Sequence, residues 1–346
     1  MSIKAAFLSN NIPWFGLHTG YERLPFFFKT ERLETHIFSP KINLLERLIG
    51  KTYSIYRGWS PRNTYDAAAE LRFLLSSLAK QSFVYHILYL ENHLQFLDQW
   101  GKTSKNILGT IHLPPSQWNL SMLKNLRHLS SVIILYQRDL EFFESYVGKD
   151  KIHFIHHGVD INFFYPPTTK AKTKSILFAG HYLRNTSMLH RVIVKLAKNY
   201  PQLKFDLLVP EHARNTDGLW QLMSHPAVRW HKNISDEELR LLYQNSYLLL
   251  LPMNNSGANT AIVESLACGL PIVTTDVGGI RDYGGADIFP IVANDDDQAM
   301  IDLMEKYLGN LDIRNEISIN CRKFAEQNLD WSVVAQKHLA IYEQLL

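Results

Sequence analysis

Along the chain, apolar runs of strand length alternate with longer stretches whose apolar positions recur every three or four residues. In the first half this pattern predicts strands over 3–9, 35–39, 82–90, 106–112, 131–135 and 152–155. Helices are predicted between them over 24–33, 63–80, 91–100, 116–129 and 139–147. A Pro166–Pro167 break and a polar Lys/Thr stretch over 168–174 read as a linker. A second series follows, with strands over 175–179, 204–209, 228–230, 247–251 and 272–275 and helices over 187–199, 236–245, 258–268 and 298–308. Two last helices, over 312–327 and 331–346, have no strand after them. Parallel strands need a crossover, and a helix between each pair supplies it. The fold class is therefore α/β, with two Rossmann-like parallel-sheet domains. Ligands of such domains collect at the carboxyl ends of the strands, so two facing domains would form a cleft there.

Residues 247–284 hold the densest chemistry. The apolar run Tyr247 to Leu251 stops at Pro252, and a polar loop containing Gly257 leads into a helix that ends at Gly269. A strand, a loop and a helix N-terminus together favour an anion, here through the segment Asn255, Ser256, Gly257, Ala258, Asn259 and Thr260. Glu264 is the one carboxylate of that helix, among Ala, Ile and Leu neighbours. Arg184 and His181 follow a strand end earlier in the same half and are the candidate cations. The opening strand also runs into a glycine loop, with Gly16 and Gly20 flanking His18. Its spacing is not G-x-G-x-x-G, which disfavours a dehydrogenase.

Composition and charge narrow the class. Hydrophobic residues at 46% and charged residues at 20% describe a globular chain, and 346 residues suit two cores. Residues 1–165 carry 18 Lys+Arg against 13 Asp+Glu, a surplus too small for a nucleic-acid footprint. Residues 41–63 mix Lys41, Arg47, Lys51, Arg57 and Arg62 with apolar side chains. They read as an ordinary amphipathic helix and loop, or as a basic-aromatic surface for an acceptor or anionic lipid. The two cysteines, Cys268 and Cys321, give neither a disulfide framework nor metal-ligand spacing. No signal-peptide core and no long apolar run is found, so the expectation is a cytoplasmic protein, with peripheral contact at the inner membrane face left open. His153, His156 and His157 lack accompanying acids or thiols, and Asp295 to Asp297 open a helix, so no metal is expected.

The stretch A-N-T-A-I-V-E-S-L-A-C-G-L-P-I-V-T-T-D-V-G-G-I-R-D resembles the C-terminal signature of retaining glycosyltransferases of family 4, which have the GT-B fold. F-I-H-H-G-V-D-I-N-F-F-Y-P over 154–166 looks like that family's hinge, I-L-F-A-G-H-Y-L-R over 176–184 like its diphosphate loop, and D-W-S-V-V-A-Q-K-H-L-A-I-Y over 330–342 like its closing helix. The resemblance implies an acceptor domain over 1–165, a nucleotide-sugar domain over 166–328 and a closing helix over 329–346 that packs back on the first domain. It implies sugar transfer from a nucleoside-diphosphate sugar to a glycan, lipid-linked or small-molecule acceptor, by a metal-independent front-face route and without a cofactor. Glu264 takes the place of the ribose-binding glutamate, Arg184 that of a phosphate-binding cation, and His112 that of a histidine contacting the donor sugar or its phosphate. His18 and Glu91 are candidates for orienting the acceptor. The departures are Ser256, flanked by Asn255, where the family has a second glutamate, His181 at an arginine position and His157 at an asparagine position. The Ser256 and His181 departures keep open a non-catalytic binding or scaffold subunit, and the shared two-domain shape a sugar-nucleotide epimerase.

Overall fold

A computed structural model describes residues 3–10, 12, 16–28, 33–57, 64–80, 82–93, 106–168 and 174–346. The chain forms two compact units. Unit 1 takes in residues 1–15, 21–156 and 332–346, and unit 2 residues 16–20 and 157–331.

Unit 1 is built on a six-stranded sheet of β1 (Ile3–Leu8), β2 (Leu33–Phe38), β3 (Val84–Ile87), β4 (Ile107–Ile111), β5 (Ser131–Ile134) and β6 (Ile152–Phe154). Their spatial order is β2-β1-β3-β4-β5-β6, every pairing parallel. β3, β4 and β5 are buried along their whole length, which explains their unbroken apolar runs. Helices α1 (Leu44–Arg57), α2 (Thr64–Ala79), α3 (Leu120–Asn125) and α4 (Leu140–Val147) supply crossovers. The last helix of the chain, Trp331–Leu345, enters unit 1 from Ser332 onward. There His338 Nε2 lies 2.7 Å from the Tyr21 hydroxyl, and the Tyr342 hydroxyl 2.6 Å from His86 Nδ1. Burial holds both imidazoles below the usual histidine range, so the network is neutral.

Unit 2 repeats the plan with β7 (Ser175–Ala179), β8 (Lys204–Leu208), β9 (Val228–His231), β10 (Leu248–Leu251), β11 (Ile272–Thr275) and β12 (Ile291–Val292). The order β12-β11-β10-β7-β8-β9 runs outward from β7 through β8 and β9, then returns to place β10 on its other side. Successive crossovers therefore diverge between β7 and β10, and the carboxyl ends of these two strands border a crevice. α5 (Thr186–Asn199), α6 (Asp236–Asn245), α7 (Thr260–Ala267), α8 (Asp297–Gly309) and α9 (Leu311–Asn328) complete the unit.

Several predicted elements differ in detail. The described start of the helix expected over 24–33 is a 3₁₀ turn, Tyr21–Phe27, with Pro25 inside it, whose missing N–H cannot support an α-helical ladder, while 29–32 lie outside the described residues. The helix expected over 116–129 starts only at Leu120, because Asn119 caps it there by accepting the Met122 N–H at 3.0 Å. The predicted strand over 82–90 turns into a short 3₁₀ turn, Leu90–Asn92. The rest of the helix expected over 91–100 falls from residue 94 onward outside the described residues, as do 58–63 and the linker segment 169–173. β12 is two residues long and was not expected.

Candidate functional site

The site of unit 2 begins where β7 ends. Gly180 has φ +86°, and a Cβ there would lie 2.8 Å from Arg184 Nη2, so glycine lets the guanidinium fold back beneath the turn. Arg184 donates from Nε to the Ala179 carbonyl at 3.2 Å, from Nη1 to the Tyr182 carbonyl at 2.9 Å and from Nη2 to Asn259 Oδ1 at 3.4 Å. All three acceptors are neutral, and no carboxylate pairs with this cation among the described residues. Burial draws its pKa down to about 10, which leaves it charged at neutral pH. His181 is exposed. Partial burial, with the neighbouring His212 and Arg184 charges, holds it below the ordinary histidine range, so it acts as a neutral donor or acceptor.

The second border of the crevice is the loop after β10. It is stitched to the first by Asn185 N–H donating to the Pro252 carbonyl at 2.9 Å and Asn254 N–H donating to the Leu183 carbonyl at 2.9 Å. Asn255 Oδ1 accepts the Ser256 N–H at 2.8 Å, and the buried Ser256 hydroxyl donates to the Gly257 carbonyl at 2.9 Å. The Ser256 carbonyl accepts the Gly279 N–H at 2.9 Å. Gly278, at φ +52°, brings its own backbone so close that a Cβ would lie 1.8 Å from that carbonyl oxygen. After Gly257 and Ala258, Asn259 caps α7 by accepting the Ala261 N–H at 3.1 Å, and Thr260 is the first helical residue. One amide oxygen, Asn259 Oδ1, thus orients both the helix N-terminus and Arg184.

Glu264 lies inside α7 with 7% of its surface exposed. Its Oε2 accepts the Tyr243 hydroxyl at 2.7 Å. Burial raises its pKa from 4.5 to about 7, and the Tyr243 and Thr19 hydroxyls ease its ionisation while Asp236 opposes it. The segment from Gly16 to Gly20 belongs to this unit. Leu17 N–H donates to Asp236 Oδ2 at 2.8 Å, and a Cβ on Gly16 would lie 2.3 Å from Asp236 Oδ1. His18 Nδ1 is 2.9 Å from Asp160 Oδ2 and its ring stacks on Phe163 at 3.5 Å. Gly20 is buried beside Thr19.

In unit 1, His112 donates from Nε2 to the Leu88 carbonyl at 2.8 Å, which fixes its proton on that nitrogen. Its ring stacks on Tyr89 at 4.7 Å and meets Tyr21 edge-on at 4.9 Å. Glu91 accepts the backbone N–H groups of His112 and Leu113, so it shapes the turn that presents His112. Burial raises the Glu91 carboxyl to about 7. His157 is buried, donating from Nδ1 to the Gly158 carbonyl, and burial lowers it to about 4. No group of three or more metal-binding side chains occurs among the described residues. Asp296, of the acidic run after β12, caps α8 through the Ala299 N–H at 3.0 Å. The structure therefore gathers Arg184, His181, residues 255–260, Glu264 and the loop of Gly16, His18 and Gly20 within unit 2, and His112 with Glu91 within unit 1.

A fixed cation, a capped helix start and a buried carboxylate at one strand-order reversal suit an anionic ligand that also carries hydroxyls. Residues 173–310 match the family model described as Glycosyl transferases group 1. Over this segment the chain is similar to group 1 glycosyl transferases. Among curated proteins the chain is similar to an MMP alpha-(1->4)-mannosyltransferase of Mycolicibacterium hassiacum, 23% identical over 58% of this chain and 50% of that protein. It is also similar to a D-inositol 3-phosphate glycosyltransferase of Nocardioides, 25% identical over 56% of this chain and 48% of that one. The chain thus spans about half the length of the curated relatives it matches. Among solved structures, sucrose-phosphate synthase from Thermosynechococcus elongatus aligns over 99% of both chains with TM-score 0.75 at 15% identity. Anabaena HepE, in complex with UDP-glucose, aligns over 99% of this chain and 100% of that one with TM-score 0.72 at 14% identity. The fold is GT-B.

Three residues of the candidate site escaped sequence reasoning. Tyr243 and Asp236 bracket α6, where the local signal is a capping box at Ser235 and Glu238 and nothing points to a ligand. Thr19, from the far end of the sequence, eases Glu264 ionisation although its buried hydroxyl makes no hydrogen bond among the described residues. Gly180 was legible in principle, as a glycine directly after a buried strand.

Proposed function

We propose that the chain transfers a sugar, with retention at the anomeric carbon and without a metal, from a nucleoside-diphosphate sugar to an acceptor hydroxyl on a glycan or lipid-linked molecule. The observation that carries this reading is Arg184, a part-buried guanidinium bonded, among the described residues, to neutral oxygens alone at the β7–β10 reversal, with Asn259 and the start of α7 beside it. In the transfer, the bond from the anomeric carbon to the diphosphate oxygen breaks and a bond to the acceptor oxygen forms. The acceptor proton passes to the leaving phosphate oxygen. Arg184 stabilises the charge that grows on the diphosphate, where a fixed cation acts with no reorganisation. Glu264 accepts from the two ribose hydroxyls, and His181 and Thr260 complete the phosphate contacts. Ser256 and Asn255 offer neutral groups to the sugar hydroxyls, and His112 is assigned a donor-sugar contact. UDP-glucose is the donor to test first, since it is bound in a structural neighbour.

Slow release of UDP from UDP-glucose, followed with a coupled nucleotide assay, tests the proposal. Arg184→Ala is expected to lower turnover about a hundredfold, the scale of one lost charge-stabilising donor, with an unchanged melting temperature. Wild-type turnover in that variant would remove Arg184 from the chemistry. An isomerised nucleotide sugar appearing without acceptor would instead indicate epimerisation.

A further inference from the structure

Helix α1 has two unlike faces. Its inner side is closed against α2: a Cβ on Gly50 would lie 1.7 Å from the Thr64 carbonyl oxygen, so the two backbones touch. Glu46, Tyr53 and Ser54 are buried on this side, with Glu46 paired to Arg72 at 3.1 Å. The outer side carries Leu44, Leu45, Leu48, Ile55 and Tyr56 at 71%, 66%, 55%, 70% and 80% exposure, preceded by Ile42 at 79%. At helical spacing these positions fall on one continuous stripe. Lys41, Arg47 and Lys51 are exposed in the same segment. Glu46, the one acid of the helix, is turned inward and neutralised, so the charge left beside the stripe is wholly positive.

We propose that the outer face of α1 docks on an anionic lipid surface, the helix lying in the interfacial plane with its Leu and Ile side chains in the acyl boundary and its Lys and Arg on the headgroups. Large aliphatic side chains exposed this far, in one stripe, are unusual on a surface facing only water. An apolar stripe bordered by Lys and Arg is what an interfacial helix needs. The charge also separates this occupant from a second copy of the chain, because a two-fold contact through the stripe would bring like charges together. No helix among the described residues is long and apolar enough to cross a membrane, so docking is on the surface. The proposal does not rest on sugar transfer and is tested without nucleotide.

The experiment uses the full chain with vesicles of phosphatidylcholine alone or with added phosphatidylglycerol. Cys268 and Cys321 are buried, so an Ile55→Cys variant can be labelled selectively at its new thiol with a polarity-sensitive fluorophore. The label is expected to shift to the blue with anionic vesicles and to stay unchanged with neutral ones. In flotation, Arg47→Gln/Lys51→Gln is expected to weaken binding roughly thirtyfold at low salt, and Leu48→Ser/Ile55→Ser to abolish it. Far-ultraviolet circular dichroism checks that both variants are folded, and the labelled Ile55→Cys protein gives an answer that does not depend on them. No spectral shift and no flotation with anionic vesicles would overturn the proposal. So would a concentration-dependent dimer, dissolved by Leu48→Ser/Ile55→Ser, in a chain that ignores vesicles.

Discussion

Replacing Glu264 with Gln tests the electrostatics of the site without changing its shape. The carboxyl is 7% exposed and is bonded by Tyr243 at 2.7 Å, a bond that glutamine can still accept. Burial moves its titration from 4.5 to about 7. Between those two values the folded chain keeps a proton that the unfolded chain has released, so stability falls as pH rises and levels off above about 7. Once both states are ionised the cost is about 3 kcal/mol, from 1.36 kcal/mol for each tenfold change in proton affinity. Chemical denaturation of wild type and Glu264→Gln, from pH 5 to 9, is expected to show the variant gaining on the wild type by that order across neutrality. A bound nucleotide changes the sign of the advantage. If Glu264 accepts from ribose hydroxyls as proposed, it does so ionised, so binding below pH 7 would release a proton and the affinity of the wild type would rise with pH. Calorimetry in two buffers of different ionisation enthalpy reads that proton directly. Parallel pH profiles for the two proteins, with no proton released on UDP binding, would refute the reasoning.

Two other variants probe the supports of the site. Tyr243→Phe removes the donor that eases Glu264 ionisation, so the pH midpoint of UDP binding should move upward and affinity at pH 7 should fall; an unmoved midpoint would show that the hydroxyl is not coupled to the carboxylate. Gly278→Ala places a Cβ 1.8 Å from the Ser256 carbonyl oxygen at a φ of +52°, and should destabilise unit 2 by about 3 kcal/mol or more in denaturant titration. A loss under about 1 kcal/mol would mean that the Ser256 loop gives way easily.

Much of unit 2 was legible because its elements are specified locally. Leu248 to Leu251 is an apolar run buried on both sides, and α7 follows a capping Asn259. Glu264 stood out since a carboxylate on an Ala/Ile/Leu helix needs a partner. Arg184 was recognised from its place after a strand, and the Ala179 and Tyr182 carbonyls it bonds are local, but its third acceptor, Asn259 Oδ1, is 75 positions away. The loop at Gly16 read as the opening of the first domain. It instead rests on Asp236, 219 positions later, through a backbone bond and a fit only glycine allows, and no local pattern encodes that. Glu91, read as an acceptor-orienting residue, spends its carboxylate on the backbone beneath His112. The outer face of α1 was read two ways, since a sequence pattern marks an amphipathic helix but not which of its apolar positions are covered.

The central claim is that Arg184 holds the diphosphate of a nucleotide sugar. Isothermal titration of UDP into the wild-type chain and into Arg184→Ala tests it most directly. A charge-assisted contact of this kind contributes about 1.5–3 kcal/mol, so the variant should bind roughly ten- to a hundredfold more weakly, with its fold intact. Equal affinity for UDP in the two proteins would contradict the account.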